Sequence, residues 1–77
     1  MMIVEHDRVV LMSDRLNQGL LAGDIGTIVH VYRGGQTYEV EFVALAGETA
    51  GIVTVEANEV RPVGRHEIAH VRPLAVA

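Results

Sequence analysis

The stretch Ile25–Val43, IGTIVHVYRGGQTYEVEFV, decides the fold. Its first half, Ile25 to Arg33, is crowded with Ile, Thr and Val, side chains that suit a pleated, half-buried surface. Gly34-Gly35 comes next, a pair that takes the positive φ of a tight hairpin turn without strain. Thr37 to Val43 then alternates, with Tyr38, Val40 and Phe42 on one face and Glu39 and Glu41 on the other. The pattern predicts a hairpin with the first set inward and the glutamates in water. A slip of one residue would bury both glutamates, so the register is well specified.

Outward from the hairpin, the chain reads as short strands cut by turns. Ile3 to Met12 lacks apolar recurrence at three and four and reads as a first strand. Ser13 to Asp24 holds turn-forming residues and reads as a long loop. Its Leu16, Leu20 and Leu21 either fold back over one end of the core or stand out as an apolar patch. Ala44 to Gly51 is a turn, Ile52 to Val55 a fourth strand, and Ala57 to Glu59 a single helical turn. Val60 to Val63 is a fifth strand, placed at an edge or strand end because Pro62 cannot donate to a ladder. Gly23 and Gly26 mark a close backbone approach at the start of the second strand, so Gly26→Val is expected to destabilise. The expected class is all-β: a small five-stranded SH3-like barrel over residues 1–63, with a long first loop and a C-terminal extension over 64–77. Such a barrel removes sheet edges by curling.

Composition narrows the function. The chain has 77 residues, 49% of them hydrophobic and 21% charged, which suits one globular domain. A domain of this size buries only roughly 60% of its unfolded surface, so its apolar residues go to the core and little remains for an enzyme pocket. The reading is therefore non-enzymatic, with no cofactor. The absence of cysteine excludes disulfides, thiolate metal sites and a cysteine nucleophile, and fits a reducing cytoplasm. No apolar run approaches the roughly 18 residues of a membrane span, and MMIVEHDRVV does not read as a signal peptide. Six arginines against ten acidic residues leave a net charge of -4. The arginines are scattered, only the tail from Arg61 to Arg72 gathering several, which disfavours nucleic-acid binding.

Four segments carry a resemblance: Glu5-His6-Asp7-Arg8-Val9-Val10-Leu11, Gly23-Asp24-Ile25-Gly26-Thr27-Ile28-Val29, Tyr38-Glu39-Val40-Glu41-Phe42 and Val60-Arg61-Pro62. Together they resemble a family of short bacterial proteins catalogued as a domain of unknown function, over roughly residues 1–63. The resemblance implies an SH3-like fold and an accessory role. Members are similar to genes found beside partner genes, some of them candidate toxins, which implies an antitoxin-like or regulatory function. The G-D-x-G-T-I-V element by itself also resembles KOW-type modules of ribosomal and transcription proteins, whose implied partner is RNA.

His66-Glu67-Ile68-Ala69-His70 matches H-E-x-x-H, in which helical spacing places two zinc ligands on one face beside a general base. The tail after His70 supplies no third ligand, and Pro73 would stop the helix, so no metal site is expected. His66 and His70, with His6 and His30, are the only metal candidates. Ser13 has no nucleophile elbow around it. Asp7, Asp14, Asp24 and Glu48 lie in turns, where carboxylates cap backbone amides or stay solvated. Too few aromatics accompany Tyr32 and Tyr38 to line a proline-peptide groove. In the tail, His70-Val71-Arg72-Pro73-Leu74 echoes Glu59-Val60-Arg61-Pro62-Val63. Ile68, Val71, Leu74 and Val76 could dock this tail on another chain, including a second copy, which would give a homo-oligomer.

The sequence therefore predicts a protein–protein interaction module. Its candidate contacts are Arg15, Leu16, Leu20 and Leu21 in the loop, Tyr32 and Arg33 at the hairpin end, and Ile68, Val71 and Leu74 in the tail. A basic protein partner suits the acidic surface.

Overall fold

The computed structural model describes residues 2–74, so Val76 lies outside the described residues. The strands are β1 (Arg8–Leu11), β2 (Ile25–Tyr32), β3 (Thr37–Val43), β4 (Thr49–Glu56) and β5 (Val60–Pro62). They form one antiparallel sheet in the order β4-β3-β2-β1-β5. Two single 3-10 turns, Leu16–Gln18 and Ala57–Glu59, complete the secondary structure.

The central hairpin forms as its alternation predicts. Tyr38, Val40 and Phe42 are buried, and Glu39 and Glu41 lie on the opposite face. Those glutamates are only half exposed, because each accepts a hydroxyl from β4: Thr54 donates to Glu39 at 2.5 Å and Thr49 to Glu41 at 2.8 Å. The connecting loop is longer than a two-residue turn, since Tyr32 pairs with Thr37 and Arg33–Gln36 lie between them. Arg33, Gly34 and Gly35 all have positive φ there.

Two strand boundaries differ from the sequence reading. β1 begins at Arg8 rather than Ile3, because the chain first turns sharply: the Asp7 amide donates to the Val4 carbonyl at 3.1 Å and the Val4 amide to Asp7 Oδ2 at 2.9 Å. β4 begins at Thr49 rather than Ile52, extended by pairing of Val43 with Thr49 across a β-bulge. Pro62 does lie on an edge strand, where its missing N–H costs no ladder bond.

A closed barrel does not form. β4 and β5 are the two sheet edges and share no ladder, so the structure corrects the expected closure to an open sheet. The sheet nonetheless curls. Five strands laid flat would hold β4 and β5 about 19 Å apart. Only Ala57–Glu59 joins them, and the step from Glu56 to Val60 spans at most about 14 Å. Curling lets Val53 and Val55 of β4 share one core with Val9, Leu11, Leu20, Ile28, Val40 and Val60. Arg15 holds the open side together. Its guanidinium donates to the Thr54 carbonyl on β4 at 3.2 Å and to Glu59 Oε2 at 2.9 Å, just before β5. The same Glu59 closes a capping box, its Oε1 accepting the Glu56 amide at 2.8 Å.

Candidate functional site: a groove between the sheet and the C-terminal arm

Beyond β5 the chain folds back over its own sheet, held by two arginines from the repeated Val-Arg-Pro. Arg61 grips Glu67 through both carboxylate oxygens, at 2.8 and 2.6 Å. Arg72 grips Asp24 in the same two-pronged way, at 2.8 and 2.5 Å, and donates also to the Gly19 carbonyl at 3.1 Å. In both repeats Nη1 of the arginine donates to the carbonyl of the following proline at 3.1 Å. The echo in sequence is thus an echo in local structure. Bidentate guanidinium–carboxylate pairs of this kind fix orientation as well as charge.

These contacts set the titration of their carboxyls. Burial works to raise Asp24, but the Arg72 hydrogen bond, the Leu21 amide and the Arg72 charge together hold it below its ordinary value. Glu67 is drawn down to about 2, first by the Arg61 hydrogen bond and then by the Gly64 amide.

Between arm and sheet lies a groove of about 480 Å³. Its sheet wall is mixed, with Ile25, Val43 and Ala50 beside Arg8, Thr27 and Glu41, while Leu45 joins from the turn after β3 and Ala69, Val71 and Leu74 form the arm side. Leu45, in the turn after β3, is 92% exposed, and Val71 is 69% exposed. Asp24 and Arg72 lie at its rim.

The family model described as Domain of unknown function (DUF4926) matches residues 5–62. The chain belongs to this family. No curated protein and no solved structure matches it. The match to the DUF4926 family takes in all five strands and the sheet wall of the groove, whereas the arm lies beyond it.

The structure sorts the nine expected contact residues. Leu20 is only 1% exposed and belongs to the core, so it is not an accessible contact. Arg15 is a quarter exposed, with its guanidinium engaged by Glu59 and the Thr54 carbonyl. Leu16 stands out on the first 3-10 turn, and Leu21 is half-buried beside the Asp24 clamp. Val71 and Leu74 line the groove, and Ile68, 94% exposed, precedes them on the arm. Tyr32, the last residue of β2, and Arg33 are exposed at the far end of the strand from its groove end at Ile25, and there the Tyr32 ring meets His30 edge-on at 4.4 Å. Loop and arm therefore converge, and the hairpin end does not join them.

Val43, Ala44 and Leu45 were missed by sequence reasoning, and Asp24 was expected only as a turn carboxylate, not as the partner of Arg72. Leu45 carried a signal, an unneeded leucine in a glycine-bearing turn; Asp24 carried none, because its arginine lies 48 positions away.

The H-E-x-x-H match does not form a zinc face. His66 and His70 are exposed on irregular chain rather than on a helix, and Glu67 is spent on Arg61 and the Gly64 amide. Among the described residues no three histidines or carboxylates gather to hold a metal. The turn aspartates act as caps: Asp7 accepts the Val4 amide, Asp14 the Ala22 amide and Asp24 the Leu21 amide, each at 2.9 Å. No helix of the described residues is long and apolar enough to cross a membrane.

Proposed function

We propose that the chain is a non-enzymatic protein–protein interaction module of the bacterial cytoplasm, an accessory, antitoxin-like or regulatory partner of a neighbouring protein. One observation carries this reading: a groove opens beside Leu45 and Val71, apolar side chains left largely in water. The net charge of -4 favours a basic partner. Pairing of Arg15, Arg61 and Arg72 with carboxylates weakens an RNA-binding reading, since that charge is already neutralised.

We read the open, curled sheet as an SH3-like arrangement, which supports the same role. Five antiparallel strands in the order β4-β3-β2-β1-β5, a long first loop and one 3-10 turn between β4 and β5 follow its connectivity, with Arg15 in place of backbone closure. Such folds offer their surface rather than an interior cavity for recognition. The test is co-purification from the chain's own cell extract, with Leu45→Asp as control. A specific partner lost in Leu45→Asp supports the module. Retention of no partner by the unaltered chain refutes it.

A further inference from the structure

Past the Arg61–Glu67 pair, a single side chain supplies the arm's hydrogen bonds to the sheet and loop. Among the described residues past Glu67, every hydrogen bond to the rest of the chain comes from Arg72, which reaches Asp24 and the Gly19 carbonyl. No backbone hydrogen bond ties residues 68–74 to the sheet or the loop. Val71 and Ile68 remain in water while the guanidinium is held. A carboxylate fixed by the Leu21 amide and a carbonyl aimed at the same point make a built receptor for a planar cation. The groove continues beside it, where Ile25, Val43 and Leu45 leave room for further apolar side chains.

Resting on the interaction-module reading, we propose that Asp24, the Gly19 carbonyl and the adjoining groove form a receptor for a partner segment in which an arginine is flanked by apolar residues. The chain's own Val71-Arg72-Pro73-Leu74 occupies this receptor as an internal competitor. A partner arginine takes over the Asp24 pairing, and its apolar neighbours pack in the groove against Ile25, Val43 and Leu45.

A tethered arm competes at an effective concentration of about 1 mM. Against a peptide that binds the open receptor at about 100 µM, the latch is closed about ten to one, which weakens apparent affinity about tenfold. The probe is a fluorescein-labelled peptide of the sequence Ile68–Leu74, titrated by anisotropy into the full chain. Arg72→Ala should bind it about tenfold more tightly than the unaltered chain, with circular dichroism confirming an unchanged sheet. Adding Asp24→Asn to Arg72→Ala, which keeps an acceptor for the Leu21 amide, should return the affinity to that of the unaltered chain or weaker. A peptide with alanine at the arginine position should not bind. Equal affinity for the unaltered chain and Arg72→Ala, or equal binding of the alanine peptide, overturns the receptor. So does a dimer of the unaltered chain that Arg72→Ala dissolves, since the arm would then belong to a second copy. Co-purification of a partner by a chain that ignores the peptide removes the receptor alone and leaves the module reading intact.

Discussion

Gly26 is the position where one methyl group tests the packing most directly. It lies buried in β2 opposite Val9 of β1. A Cβ built there would sit 2.5 Å from Val40 Cγ1, 2.9 Å from Phe42 Cε1 and 3.0 Å from the Glu41 carbonyl oxygen. Val40 and Phe42 are core side chains with no solvent to retreat into, and the Glu41 carbonyl belongs to β3, so something rigid must move. Overpacking of this kind costs about 1–3 kcal/mol. Relief of glycine's backbone entropy returns about 0.5–1 kcal/mol. Gly26→Ala should therefore lose about 1–2 kcal/mol, which for a domain of this size lowers Tm by about 5–15 °C. Gly26→Val should lose about 3 kcal/mol or more. Gly51 in β4 is the internal control, with open space where its Cβ would be, so Gly51→Ala should hold or raise Tm. Thermal melts followed by circular dichroism give all three values. Val40→Ala removes the nearest clashing atom, so with Gly26→Ala the losses should fall short of their sum by about 1 kcal/mol. A Gly26→Ala Tm within about 2 °C of the unaltered chain, or simple additivity with Val40→Ala, would refute the close-approach argument.

Removal of the Arg15 bridge by Arg15→Ala should cost about 1 kcal/mol, discounted for its partial exposure, and lower Tm by about 4–8 °C; an unchanged melt would mean the open side of the sheet needs no side-chain tie. The Arg72–Asp24 clamp should weaken in acid. Asp24 has a folded pKa below its unfolded one, so the stability it contributes is complete above the ordinary carboxylate range near about 4 and drains as pH falls through the lowered folded value. The Tm gap between the unaltered chain and Arg72→Ala should accordingly be present at pH 7 and close in strong acid, and a gap independent of pH would argue against the clamp. Zinc or chelator should leave Tm unchanged, as should the His66→Ala, His70→Ala double variant; a zinc-dependent rise lost in that variant would restore the metal reading.

Local pattern alone was enough for the elements that depend on near neighbours. The alternation of Tyr38, Val40 and Phe42 with Glu39 and Glu41 determined β3 to the residue, because a strand's facing follows from a two-residue period whatever lies across from it. Gly26 marked a close approach, and Pro62 an edge, for equally local reasons. Tertiary structure decided the rest. Whether Leu20 covered the core or faced a partner depended on where a loop returned, and it returned inward. An arginine carries the same charge beside any carboxylate, so nothing in the sequence paired Arg15 with Glu59, 44 positions on, or Arg72 with Asp24, 48 positions back. Those pairings follow from the curl of the sheet. They convert one expected contact into a structural tie and turn the tail into a latched wall, and with it they place the groove that no stretch of sequence contains.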